Sequence, residues 1–346
     1  MRLSDIWDIL EKEELREDLE DESALIYGAF DKSEEVILEE LLALGGRLSS
    51  VTIPREGYSP VHMTFLRSIE DLPKECPPNN GNGPATIYFV LNEVLGVGGN
   101  AIVVHATECI PYTTRDVSLR VRLPHSEPID SRDFTARHFG LDSDIIQTTA
   151  YPFPLDDMEV DIYTFRPGCT LDRLRSYQTP IQYKTINENG VGRYHLSLAR
   201  KLIQRVMMLH EKKLVHGDLK PENIIITPDG EPFIIDIQSV RPHGSKLTSF
   251  TLEFLAPEAD EDLKSTFHTD QFALGMSLLY ALDADVPYGL GPDEVLIVLS
   301  THIVCSKNKE DKAAYSRLAK AISRMIQPDP SERFSSLQDA YDFLNQ

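Results

Sequence analysis

Cysteine, positive charge and long apolar runs are all scarce in this chain, and each scarcity closes off a class of protein. Four cysteines in 346 residues (Cys76, Cys109, Cys169 and Cys305) are too few and too scattered for a disulfide-built scaffold. None stands in a CxxC pair, so a structural zinc site finds no support. One or two bridges would still be compatible with a secreted protein, and the pairing stays open. No apolar run approaches the roughly 20 residues that cross a bilayer, so an integral membrane protein is not expected. The 34 Lys and Arg against 55 Asp and Glu give a formal net charge of −21. That balance argues against a nucleic-acid backbone or an anionic membrane surface as the main partner. The opening residues, MRLSDIWDIL, lack the apolar core of a signal peptide, so no export address is legible there.

What is present reads as a folded, soluble protein: 41% hydrophobic and 26% charged residues. The length suits one large domain in two lobes or two ordinary domains. Acidity is concentrated at the start, where residues 1–45 hold 15 Asp and Glu against four Lys and Arg, a net of −11. Residues 4–45 read as two acidic amphipathic helices. In the second, Asp31 and Glu34 have capping-box spacing, Val36, Ile37, Leu38, Leu41 and Leu42 form an apolar face, and Gly45 and Gly46 stop it. A solvated helical face explains this charge better than an acidic binding tail. The run CPPNNGNGP at 76–84 marks a boundary.

From 85 to 166 the texture is that of strands. ATIYFVLNEVLG, AIVVHATEC, VSLRVRL, IIQTTAYPF and EVDIYTF are rich in β-branched and aromatic residues, with turn signals between most of them. After RPG at 166–168 the texture becomes helical. The stretch 196–213 places Leu198, Leu202, Val206 and Leu209 on one stripe, and further helices are predicted around 268–283, 312–326 and 335–345. Strands first and helices afterwards make an α+β arrangement.

The chemistry concentrates in His216-Gly217-Asp218-Leu219-Lys220-Pro221-Glu222-Asn223, followed by an apolar strand. A carboxylate, an ammonium and an amide in one short loop suit phosphoryl transfer, which needs positioning and neutralisation of spread negative charge. This loop resembles the catalytic loop of protein kinases. The resemblance implies that Asp218 orients and deprotonates a substrate hydroxyl, Lys220 steadies the phosphoryl group, and Asn223 ligates magnesium. Asp236, behind PFII, stands where the family's magnesium aspartate stands. Ala256-Pro257-Glu258 resembles the end of an activation segment. Asp270 in DQFALG resembles the aspartate that holds the catalytic loop, and Arg333 in DPSERF resembles the buried partner of Glu258. These last three imply the fold and not an activity. The resemblance implies a two-lobed kinase-like fold: an acidic helical extension over 1–84, a β-rich N-lobe over 85–167 and a helical C-lobe over 168–346.

Departures from the family pattern bear on activity. The nucleotide loop has Gly96 and Gly98, but its third glycine is Ala101, whose methyl group hinders backbone approach to phosphates. Arg120 stands for the strand lysine and reads equally as an exposed strand arginine or as a phosphate contact. Between Val121 and Thr148 the only glutamate is Glu127, next to Pro128; the candidate helix SRDFTARHFG offers Asp133 instead. Ile237 and Gln238 replace the Phe-Gly that follows the metal aspartate, and Gln238 removes a glycine hinge. Gly217 replaces the arginine that receives an activation-segment phosphate, so that mode of control is expected to be absent.

Gly217, Arg120 and the acidic extension together resemble the apicomplexan rhoptry kinases and pseudokinases, secreted parasite proteins that act in the host cell or at the parasitophorous vacuole. Two functions compete. A pseudokinase would keep the fold as a platform for a protein partner, with no certain cofactor. A divergent Ser/Thr kinase would use ATP and magnesium. The changed parts belong to one cooperative site, which favours the pseudokinase. A small-molecule phosphotransferase fits less well, because Glu258 and Arg333 belong to the protein-kinase pattern.

Overall fold

The structure is a computed structural model that describes residues 61–73, 85–98, 101–110, 113–122, 149–155, 158–174, 190–236, 239–247, 250–282, 292–293, 295–297 and 308–346. The acidic helices read over 4–45, the Pro/Asn/Gly run at 76–84, the candidate helix at 131–140, Ile237 and Gln238 lie outside the described residues. Among the described residues no helix is long and apolar enough to cross a membrane. The chain divides into two compact units, one ending at Phe165 and the other beginning at Arg166.

The first unit is built on a six-stranded sheet in the order β1-β2-β3-β4-β6-β5. Its strands are β1 (Val61–Leu66), β2 (Ala85–Gly98), β3 (Ala101–Ile110), β4 (Thr113–Arg122), β5 (Thr149–Leu155) and β6 (Met158–Thr164). The β-branched and aromatic residues of these segments favour strands, and their apolar side chains supply the core of the sheet. In β3, Ile102, Val104 and Ala106 are buried while Val103, His105 and Thr107 are less so; in β4, Val117, Leu119 and Val121 are buried. Neighbours from β2 to β6 pair antiparallel. β1 pairs in parallel with β2, Val61 opposite Ala85 and Leu66 opposite Val90. Residues 46–84, which read as short strand-like pieces and a loop ahead of the β-rich segment, thus contribute a strand to the sheet. Parallel pairing is set by a long connection that no short turn motif announces.

The second unit is mainly helical: α1 (Val191–Glu211), α2 (Pro257–Asp262), α3 (Phe267–Leu282), α4 (Lys309–Met325) and α5 (Leu337–Asn345). Short strands frame it. β7 (Cys169–Thr170), β9 (Ile224–Ile226) and β10 (Pro232–Ile234) form one small sheet; β8 (Leu214–Val215) and β11 (Arg241–Pro242) form another. Leu198, Leu202, Val206 and Leu209 of α1 are all buried, in one core with Leu278 of α3, Leu318 and Ile322 of α4, and Leu344 of α5.

α1 begins at Val191, five residues before the predicted start at Leu196. The cause is tertiary. No side chain caps the helix locally, but Asp311, in the first turn of α4 and buried, accepts the Arg193 backbone N–H at 3.0 Å. The two helices meet too closely there for a side chain at Gly192, whose Cβ would lie 2.3 Å from the Tyr315 ring and 2.8 Å from the Asp311 carbonyl oxygen. Gly192→Ala should therefore lower unfolding free energy by about 1–3 kcal/mol through overpacking, measured by urea titration. A neutral result would contradict this account of the α1–α4 contact.

Candidate functional site

The loop 216–223 is fixed at both ends before any of its side chains is considered. It enters from β8, where Val215 pairs with Arg241 and Leu214 with Pro242. It leaves through a 3-10 turn, Pro221–Asn223, into β9. Pro221 opens that turn with its φ already set, and it keeps the preceding Lys220 extended, at φ −156° and ψ 164°.

Its first two residues are held by one carboxylate. Asp270, in the first turn of α3 and almost fully buried, accepts the His216 N–H at 2.8 Å and the Gly217 N–H at 3.0 Å. His210, at the end of α1, lies 3.1 Å from the same carboxylate through Nε2, which must donate because the carboxylate only accepts. Gly217 has φ +83°, and a Cβ there would meet the Ser239 carbonyl oxygen at 3.1 Å and Leu247 at 3.3 Å. Glycine is thus the residue this turn takes without strain.

The His216 ring joins the loop to Ile235, between β10 and Asp236. Its Nδ1 accepts the Asp218 N–H at 3.3 Å, so the ring proton sits on Nε2, which donates to the Ile235 carbonyl at 3.0 Å. The Ile235 N–H donates in turn to the Asn223 carbonyl at 2.9 Å. Asp236 then adopts φ +59°, a left-handed conformation that aspartate tolerates better than most residues. The Ser239 hydroxyl donates to its carbonyl at 2.9 Å.

Asp218, Lys220 and Asn223 come together around a fourth residue, Thr251. The Thr251 hydroxyl donates to Asp218 Oδ1 at 3.0 Å and accepts from Lys220 Nζ at 2.9 Å. Lys220 Nζ lies 3.7 Å from Asp218 Oδ2. Asn223 Nδ2 donates to the Asp218 carbonyl at 2.8 Å and lies 3.4 Å from its Oδ2. The Asp218 carboxylate is buried and ringed by donors, an arrangement that fixes its orientation. A shallow pocket beside it is lined by Leu247, Phe250, Thr251, Phe254 and Ala273. Sequence reasoning passed over Thr251. Its signal was a hydroxyl residue seven positions before Glu258.

Asn223 commits its nitrogen to Asp218, which leaves its amide oxygen, with the Asp236 carboxylate, as ligands of the kind magnesium takes. Among the described residues no group of three or more His, Cys, Asp or Glu is placed to hold a metal. A bound magnesium would therefore lean on these two oxygens and on phosphate oxygens of a nucleotide.

The remaining predicted residues lie in the sheet unit. Gly98 and Ala101 are register partners where β2 turns into β3, and Gly96 pairs with Val103. A Cβ at Gly96 would meet nothing within 4 Å, so packing does not demand glycine there. Arg120 is half-buried in the middle of β4, between Val103 of β3 and Asp161 of β6 in register.

Arg333 is held by every donor it has. Nη1 and Nη2 each reach one oxygen of Glu258 at 2.7 Å; Nη1 also donates to the His268 carbonyl, Nη2 to that of Pro328 and Nε to that of Gln327. All five N–H groups are satisfied. Gln271, next to Asp270 on α3, exchanges two hydrogen bonds with the Phe334 backbone, so one helix turn anchors both the loop and the Arg333 segment.

A family model for the protein kinase domain matches residues 167–343, just over half of the chain. The chain belongs to the protein kinase domain family. It is 32% identical over 161 residues to serine/threonine-protein kinase D of Synechocystis, covering 43% of this chain and 30% of that protein. It is 29% identical to an Aurora kinase of Schizosaccharomyces pombe, covering 46% of this chain and 44% of the kinase. Its similarity to serine/threonine-protein kinase PknD of Chlamydia abortus is lower, at 24%, but covers 72% of this chain and 30% of that protein. The matched regions thus span less than half the length of these relatives.

The Arg333 side chain is fully buried while that of Glu258 is 25% exposed, so the two halves of the pair should respond differently to truncation. Glu258→Ala strands a buried guanidinium without an anion and should cost about 3–5 kcal/mol. Glu258→Gln keeps an oxygen acceptor and should cost distinctly less. Chemical denaturation of the two variants checks this; equal losses would contradict the assigned role of the carboxylate.

Proposed function

We propose that this chain is a pseudokinase of the rhoptry kind, a protein-kinase fold kept as a protein-interaction or regulatory module. In this reading nucleotide binding is weak or absent and phosphoryl transfer is negligible. The observation that supports it is Arg120, a guanidinium in mid-strand where the family holds ATP phosphates with a lysine ammonium. The planar fork and the ammonium differ in size, hydration and donor geometry, so one does not replace the other at a close phosphate contact. Ala101, at the turn of the nucleotide hairpin, adds a methyl group where backbone should approach phosphate. Within the rhoptry group, the size and the altered nucleotide loop resemble the bradyzoite pseudokinase. That likeness carries a secreted protein of the parasitophorous vacuole or cyst wall, with an unidentified protein partner.

A second reading, a divergent Ser/Thr protein kinase, is favoured by the Asp218–Thr251–Lys220–Asn223 network. In it, Asp218 would orient and deprotonate the acceptor hydroxyl, and Lys220 would offset charge on the phosphoryl group. ATP would supply the phosphoryl group, and magnesium on Asn223 and Asp236 would neutralise its phosphates.

A thermal-shift titration with ATP, with and without magnesium, separates the two, because a ligand of the native state must raise its stability. The pseudokinase reading expects little or no rise in melting temperature. It also expects equal radiolabel incorporation from ATP by the wild-type protein and Asp218→Ala, far below ordinary kinase rates of roughly 1–100 per second. A clear magnesium-dependent shift, with incorporation that Asp218→Ala abolishes, would contradict it.

A further inference from the structure

We infer that Arg200 of α1 and Arg317 of α4 form an oxyanion site at the C-terminal end of α5, suited to a phosphate monoester. The site shares no residue with the 216–223 loop and holds under either reading of it.

The geometry begins with packing. α1, α4 and α5 contribute Leu202, Leu318 and Leu344 to one core, and the same packing brings both guanidiniums to a single oxygen. Arg200 Nε donates to the Leu344 carbonyl at 3.2 Å, its Nη2 reaches the same oxygen, and Arg317 Nη1 lies 3.4 Å from it. That oxygen has two lone pairs for three N–H groups. A cation is favoured at a helix C-terminus, and one arginine suffices to cap it. The second adds a like charge beside the first. Most N–H groups of the pair meet no acceptor among the described residues.

Nothing acidic compensates. Arg193, Arg205 and Arg333 of the same unit reach Glu310, Glu231 and Glu258. Arg200 and Arg317 reach no carboxylate among the described residues. The two acids of α5, Asp339 and Asp342, engage Ser336 and Gln338 instead. α1 carries Arg193, Arg200, Lys201 and Arg205 before its first acid, Glu211. From Lys312 onwards α4 carries Lys312, Arg317, Lys320 and Arg324 and no acid. A chain of net charge −21 thus keeps two locally basic helices side by side. Burial, and after it the charge of Arg317, hold the pKa of the Arg200 guanidinium below its ordinary value. A dianion between the two would relieve that repulsion. A phosphate monoester also brings three strong acceptor oxygens, which two guanidinium forks can share. Both side chains are half-buried, open enough to admit it.

Titration of the full chain with inorganic phosphate and with a phosphoserine peptide, at constant ionic strength set by chloride, tests this. The readout is the Arg200 Nε–H signal in protein labelled at arginine, assigned by its loss in Arg200→Lys. The signal should shift saturably with both probes and stay in place with the unphosphorylated peptide. Arg317→Gln should weaken the response about tenfold or more, while Arg324→Gln leaves it unchanged. Arg317→Lys, which keeps the charge and loses the fork, should weaken it less, and gives the same comparison if Arg317→Gln does not fold. Tighter binding of the peptide assigns the site to a phosphorylated partner; binding of inorganic phosphate that is as tight assigns it to the free ion. An Arg200 signal that does not move with phosphate would overturn the inference. So would equal weakening by the Arg317 and Arg324 substitutions, the mark of an adventitious ion only.

Discussion

The carboxylate of Asp270 is the contact on which the described site rests. It is nearly inaccessible to water, yet it receives two loop N–H groups and the His210 ring. A buried carboxylate without donors would be strongly unfavourable, and loop amides without an acceptor would be too. Each satisfies the other, and their meeting fixes the backbone at His216 and Gly217. From that point the order of the site propagates by short steps. The His216 ring ties Asp218 to Ile235, Ile235 ties back to Asn223, and Asn223 orients Asp218. Every link is a hydrogen bond within the loop or between it and the residues after β10, so loosening the first would loosen the rest.

The parts of the kinase pattern divide by unit. In the helical unit Asp218, Lys220, Asn223, Asp270, Glu258 and Arg333 keep the family's residue types and make mutually supporting contacts. In the sheet unit the strands that carry Ala101 and Arg120 pair regularly. Selection for a stable fold alone accounts for the first group in part, because Asp270, Glu258 and Arg333 also hold the helices together. It does not account for Lys220, whose ammonium reaches Thr251 and Asp218.

Much of this was legible in the primary structure, for identifiable reasons. The strands of the sheet unit are rich in β-branched and aromatic residues, and α1 carries an apolar stripe that is buried, so local pattern and tertiary environment agree. The loop was legible because acid, ammonium and amide stand at fixed short spacings. What escaped depends on contacts between distant residues. Asp311 lies well over a hundred positions from the helix start that it supports. β1 joins its neighbour in parallel, without a hairpin turn to signal it. Thr251 is an ordinary threonine until the fold brings it 3.0 Å from Asp218.

The most direct test of the central claim is the backbone amide proton shift of His216 and Gly217 in protein labelled at histidine and glycine, compared between the wild type and Asp270→Asn. The substitution keeps the shape of the side chain and removes its charge and one of its two acceptor oxygens. If Asp270 organises the loop, at least one of the two amide signals should move markedly upfield or broaden, with the melting temperature lowered and the Glu258–Arg333 region unchanged. If both signals stay in place and the melting temperature holds, the loop is ordered by something else and the account fails.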